Sequence, residues 1–107
     1  KIAKKKWLAD NLRSCGRLIL DEGASIAILD KGKSLLSIGI LEVEGEFDRG
    51  EVVSCVDSKG IEIAKGLVNY NSIDSKKICG VSSDEIESIL GFMNEVNVIH
   101  RDNLVVL

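Results

Sequence analysis

Apolar and polar positions alternate most regularly between residues 41 and 47, where Leu41, Val43 and Phe47 are interleaved with Glu42, Glu44 and Glu46. A period of two sends successive side chains to opposite faces of a strand, so the apolar set is predicted buried and the acidic set wet. Asp48-Arg49-Gly50 has turn chemistry, and residues 51–56 return as a second strand. Asp57 to Gly60 turns again and residues 61–70 form a third strand, so the three make a meander. Gly66 interrupts the third strand and signals a bulge or a close backbone approach. Upstream, residues 16–20 read as a buried strand, followed by Asp21 as a helix N-cap. Ala24, Ala27 and Ile28 then recur at helical spacing and Gly32 supplies the stop, which predicts a short helix over 22–31 packed closely through small residues.

Two more short helices are predicted downstream. Ser72 is expected to cap 73–79, which Gly80 ends. Ser82-Ser83-Asp84-Glu85 has the form of a capping box, with Val81 and Ile86 in the flanking staple positions and Gly91 as the stop. Residues 97–100 and 104–107 are strand-like and flank Arg101-Asp102-Asn103 as a hairpin. Many short strands on tight turns, with no long helix, favour a small barrel or sandwich, and a barrel leaves the fewest open edges.

Composition narrows this picture. The 107 residues are enough for one domain, and 45% hydrophobic against 29% charged describes an ordered chain. Aromatics make up only 4%, so the core is expected to rest on Ile, Leu and Val. Proline is absent, and ten glycines do the turn work. No apolar run approaches the ~18 residues of a membrane span, and no secretory leader pattern is present. The chain starts at Lys1 rather than Met, which reads as a fragment or a processed product. Cys15, Cys55 and Cys79 are odd in number and widely spaced, the pattern of buried reduced thiols rather than of a disulfide framework. With one histidine and no CxxC pair, zinc has no ligand set.

The net charge of −3 is unevenly distributed: Lys1, Lys4, Lys5, Lys6, Arg13 and Arg17 against Asp10 give residues 1–17 a charge of +5, leaving −8 for the rest. A surface that binds nucleic acid broadly is basic, so any such contact here needs a local patch. Candidate basic groups are Lys31, Lys33, Lys65 and Arg101, and candidate stacking aromatics are Trp7, Phe47, Tyr70 and Phe92. Trp7 itself reads better as a surface anchor, and the Lys4-Lys5-Lys6 run as a solvated stretch or a basic arm touching RNA or a partner domain.

Catalytic motifs are weak. Gly32-Lys33-Ser34 resembles the tail of a phosphate loop, but Ala27 stands where the first glycine is needed and the stretch follows a helix instead of opening one. His100-Arg101-Asp102 matches the opening of a kinase catalytic loop without any companion motif. Glu42, Glu44 and Glu46 could hold a hard cation, yet same-face carboxylates on a strand are ordinarily a solvated face.

An ordered series of short motifs covers nearly the whole chain. It runs Trp7-Leu8-Ala9, Leu20-Asp21-Glu22-Gly23-Ala24, Lys33-Ser34-Leu35-Leu36, Gly39-Ile40, Val43-Glu44-Gly45-Glu46-Phe47 and Arg49-Gly50-Glu51-Val52-Val53. Ile63-Ala64-Lys65-Gly66-Leu67, Asn69-Tyr70-Asn71-Ser72 and Ile99-His100-Arg101-Asp102-Asn103-Leu104 follow. This series resembles the C-terminal region of bacterial glutamate 5-kinases. Ser37 departs from it, since that family often has proline there, and is expected to loosen a turn.

The resemblance implies a PUA domain: mainly β with short α-helices, a PUA-like pseudo-barrel of about six mixed strands. It implies that residues 1–15 are a linker and lead-in from an upstream amino-acid-kinase domain and residues 16–107 the PUA domain. PUA domains commonly bind structured RNA through the first helix and the turn after it. Mapped by motif, that is the region from Ala24 to Ile40, with Lys31, Lys33 and Arg101 as contact candidates for RNA or a partner. By the same resemblance the parent enzyme is cytoplasmic, transfers the ATP γ-phosphate to the side-chain carboxylate of glutamate with Mg²⁺, opens proline synthesis and is inhibited by proline. No position here matches its catalytic residues, so no cofactor is expected in this stretch. The implied function is a non-catalytic accessory or regulatory domain, with an RNA-binding module as the alternative. The implied partners are the upstream kinase domain, a second copy of the chain and structured RNA, but no membrane.

Overall fold

The computed structural model describes residues 13–107. The expectations for Trp7 and the Lys4–Lys6 run lie outside the described residues. The elements run β1 (Gly16–Leu20), α1 (Glu22–Lys31), a 3₁₀ turn (Ser37–Gly39), β2 (Ile40–Gly45), β3 (Val52–Val56), β4 (Glu62–Leu67) and α2 (Ser72–Ile78). A 3₁₀ turn (Ser83–Glu85), α3 (Ile86–Leu90), a 3₁₀ turn (Arg101–Asn103) and β5 (Leu104–Val106) complete the chain.

The strands form one sheet in the order β2-β1-β3-β4-β5. β1 and β3 are parallel neighbours and the other pairs are antiparallel. The expected pseudo-barrel of about six strands is therefore corrected to an open five-stranded sheet, with β2 and β5 as unjoined edges among the described residues. The missing strand is 97–100. It meets the chain after α1 at a single bridge, Leu35 to Ile99. The Leu35 amide donates to the Ile99 carbonyl at 2.9 Å and the Val98 amide to the Leu35 carbonyl at 2.8 Å. The predicted terminal hairpin fails for the same reason: 101–103 winds into a 3₁₀ turn, and β5 pairs with β4 instead of with 97–100.

Strict alternation along β2 also gives way. Ile19 faces Glu42 but Leu20 faces Ile40, so Leu41 is an extra residue in the ladder. This bulge flips the parity, burying Ile40 with Val43 and Phe47 and leaving Leu41 58% exposed.

The helices begin as expected at α1, where Asp21 Oδ1 accepts from the Ala24 amide at 2.7 Å and Gly32 adopts a left-handed φ of 60° at the far end. Close packing through small residues is real: a side chain on Gly39 would place its Cβ 2.5 Å from that of Ala24. At α2 the cap is Asn71, whose side chain accepts from the Asp74 amide at 2.8 Å, rather than Ser72. The Ser72 hydroxyl accepts instead from the Phe47 amide at 3.3 Å, tying α2 to the end of β2. The Ser82 capping box resolves into a 3₁₀ turn in which the Glu85 amide bonds the Ser82 carbonyl at 3.0 Å.

Leu18, Leu20, Ile28, Val53, Cys55, Tyr70, Ile78, Ile86 and Ile99 belong to one continuous buried core. Among the described residues Tyr70 is the one large aromatic fully inside, and its hydroxyl donates to the Glu95 carbonyl and accepts from the Glu95 amide at 3.1 Å. That pair anchors the segment between α3 and residue 97. Ser37, expected to loosen its turn, is fully buried; its hydroxyl donates to the Val81 carbonyl at 2.5 Å.

Gly66 shows the close approach its position implied. A Cβ there would lie 2.7 Å from Ile99 Cγ2 and 2.8 Å from the Asn103 carbonyl oxygen. Gly66→Ala is expected to cost about 1–3 kcal/mol of stability by overpacking. Urea unfolding, with an unchanged denaturant slope and a lower midpoint, is the check.

Candidate functional site

The region flanking the Leu35–Ile99 bridge carries the concave surface. On one side, α1 and the 3₁₀ turn enclose a groove of about 510 Å³. Ala24, Ala27, Leu36, Ile38 and Gly39 make its walls apolar, with Asp21 and Lys33 at the rim. On the other side, Lys33 and Arg101 line two smaller depressions. One, of about 360 Å³, includes Ser34 and His100, and the other, of about 240 Å³, includes Ile28 and Val105.

Local hydrogen bonds fix this arrangement. The Lys33 amide donates to the Ala27 carbonyl at 3.0 Å as the chain leaves α1. The Arg101 amide donates to Ser34 Oγ at 2.8 Å, which ties the Arg101 backbone to the residue after Lys33. His100 Nδ1 accepts from the Asp102 amide at 3.0 Å and so caps the 3₁₀ turn that carries Arg101.

Of the three residues singled out by the resemblance, Lys33 and Arg101 line common ground. Lys31 sits exposed on the last turn of α1 and lines none of the three concavities. Phe47 and Tyr70 are buried, which removes both as stacking platforms, whereas Phe92 is exposed. Ser34, Leu36 and Ile38 fall in the region from Ala24 to Ile40 mapped from the motif series but were not named as contacts, and His100 was placed only at the edge of a turn. A His-X-Asp step before a short apolar strand was the available signal for the cap.

Other chemistry recedes. Gly32 closes a helix rather than opening one, so the phosphate-loop resemblance at 32–34 has no structural counterpart. In the acidic row, Glu44 pairs with Arg17 across β1 and β2 at 3.2 Å. Among the described residues no three His, Cys, Asp or Glu side chains converge as a metal-ligand set. Among the same residues no helix is long and apolar enough to cross a membrane.

The thiols divide by environment. Cys55 is buried in β3, and desolvation, with Glu62 adding to it, pushes its thiol from near 9 up to about 12. Cys79 is half-buried. Cys15 is exposed, against the expectation that all three thiols are buried, because it lies just before β1 with its S–H toward Glu51 at 3.4 Å. Loss of hydration and the neighbouring Glu51 carboxylate raise its pKa as well.

The chain is thus a mainly-β module in which a helix, a 3₁₀ turn and a basic pair line adjoining concavities. Residues 16–90 match the PUA domain family, and the chain belongs to it. A glutamate 5-kinase from Hahella chejuensis is 53% identical over 106 residues, 99% of this chain and 28% of that protein. The chain thus spans under a third of the length of that curated relative. Among solved structures, a PUA domain from Aeropyrum pernix K1, determined as a tartrate complex, is 27% identical with a TM-score of 0.56, covering 81% of this chain and 43% of that one. The archaeal box H/ACA sRNP Nop10–Cbf5 complex contains a chain sharing the fold at 18% identity and a TM-score of 0.54, over 64% of this chain and 21% of that one.

Thiol-reagent kinetics follow from the three environments. Cys15 is expected to react first and Cys55 only as the chain unfolds. Because the native thiol of Cys55 keeps its proton more tightly than the unfolded one, the stability it contributes is complete below about pH 9 and is lost as pH rises from there toward 12. Cys55→Ala should flatten that alkaline decline in the thermal midpoint, relative to its own value at neutral pH.

Proposed function

We propose that this chain is the PUA module of a glutamate 5-kinase, serving as an accessory and regulatory domain rather than as the seat of the chemistry. The carrying observation is 53% identity to such an enzyme across 99% of the chain. In this reading a separate kinase domain of the same polypeptide holds ATP and Mg²⁺ and phosphorylates the side-chain carboxylate of glutamate, in the cytoplasm. Phosphoryl transfer needs positioned charge around the γ-phosphate. Lys33 and Arg101 line depressions without the glycine-rich backbone cradle that such chemistry requires.

The test uses the whole enzyme. Removing residues 16–107 is expected to leave turnover within about threefold while changing the response to proline. Complete loss of turnover in a folded truncation would falsify the accessory reading.

A second reading, RNA binding, is favoured by one observation: Lys33 and Arg101, 68 positions apart in the chain, line the same depressions beside an apolar groove. The box H/ACA complex that shares the fold is a ribonucleoprotein by its name. Binding to bulk tRNA should weaken with salt, and Lys33→Glu with Arg101→Glu should lower affinity about tenfold or more. No detectable association at low salt would remove this reading.

A further inference from the structure

The His100 contact is unusual for a helix cap because its acceptor is an imidazole nitrogen rather than a hydroxyl, amide or carboxylate oxygen. Nδ1 accepts from the Asp102 amide at 3.0 Å, which requires the neutral imidazole with its proton on Nε2. The same Nδ1 lies 3.8 Å from Asp102 Oδ2, and the two side chains are 44% and 42% exposed, so water and protons reach the ring freely. Adding a proton to Nδ1 abolishes the acceptor.

The surroundings give that event a consequence. Lys33 from the segment after α1 and Arg101 from the capped turn share the depression with His100. Asp102 is the acidic group on its own turn, and it already engages another partner. The turn is held at both ends: the Asn103 amide bonds the His100 carbonyl at 2.8 Å, and the Arg101 amide bonds Ser34 Oγ at 2.8 Å. Loss of the side-chain cap therefore leaves Arg101 attached beside Lys33 while a third positive charge appears in the same depression. Histidine is the side chain suited to such a change between about pH 5 and 8.

We propose that His100 is a proton-operated switch on this surface: neutral, it caps the Arg101 turn; protonated, it releases the Asp102 amide and joins Lys33 and Arg101 as a cationic triad for polyanions. The binding consequence rests on the RNA-binding reading, whereas the switch in the cap does not. Net charge elsewhere on residues 18–107 is negative, so one added cation at this depression changes local attraction more than it changes the whole molecule.

Two measurements on the intact chain separate these levels. Nuclear magnetic resonance follows the His100 ring nitrogens and the Asp102 amide from about pH 8 to about pH 5, and tRNA binding is measured at the same two limits at low salt. The Asp102 amide resonance should move in step with the His100 ring. Affinity for tRNA should rise about fivefold on acidification, the order expected of one added charge contact in water. His100→Asn keeps a neutral cap acceptor, so in that variant the Asp102 resonance should stay fixed and most of the affinity gain should vanish. An Asp102 amide that ignores the ring's titration overturns the switch whether or not RNA binds. Equal pH dependence of binding in the wild type and His100→Asn overturns the link to polyanions. A titrating cap with no tRNA bound at either pH removes the RNA-binding reading, and with it the triad's role, while the switch in the cap stands.

Discussion

The arrangement depends first on β1 having a neighbour on each side. β2 pairs with it antiparallel and β3 parallel. Parallel neighbours cannot be joined by a tight hairpin, so the chain must leave β1, cross over and return. The crossover here is α1, the 33–39 segment and β2 itself. Filling both edges of β1 fixes where α1 starts, and the Asp21 cap then fixes its direction. Every concavity on the candidate surface is a by-product of this crossover passing over the sheet.

The second half of the chain completes the surface from the opposite direction. Tyr70 holds residue 95 through two hydrogen bonds, and residues 97–99 lie beside the crossover at Leu35. Ile99 then packs over Gly66, where there is no room for any side chain. Its position is consequently fixed by the sheet below and by the crossover beside it. That double constraint delivers Arg101 to Ser34 and so to Lys33, although the residues are far apart in sequence. It also explains why the sheet stays open. Residues 97–100 are spent bridging the crossover and turning toward β5, and are not available as a sixth strand.

What could be read from the sequence follows the range of the interactions involved. Local features were legible: the Asp21 cap, the Gly32 stop, the β3–β4 hairpin and the crowding at Gly66. The predicted three-strand meander was not, because β1 inserts between β2 and β3 and only β3 and β4 pair as consecutive strands. The bulge at Leu41 was not, because alternation within β2 is satisfied equally well by a register that only its pairing with β1 selects. Asn71 displaced Ser72 as the α2 cap because the Ser72 hydroxyl was claimed by Phe47, a partner 25 residues away. Lys33 and Arg101 were nameable through the motif series alone. Their shared depression, the exposed Leu36 and Ile38, and the cap at His100 exist only after the crossover and the 97–101 segment meet.

Electrostatics decides what a surface of this kind can recognise. Outside its first 17 residues the chain is net negative by eight charges, so a polyanion approaching at random is repelled. Attraction must come from within roughly a Debye length, about 8–10 Å at moderate salt. Within one depression lie Lys33, Arg101 and a histidine, against a groove whose walls are apolar. Such a surface favours a partner presenting one or two phosphates or carboxylates next to an unstacked base or an apolar side chain, and it discriminates against a long regular duplex, whose further phosphates would meet acidic ground. The same reasoning applies to a protein partner: a flexible segment carrying an acidic residue beside an apolar one meets the same two features. Lys33 lines both the apolar groove and the basic depression, so a partner seated there would meet charge and apolar surface side by side.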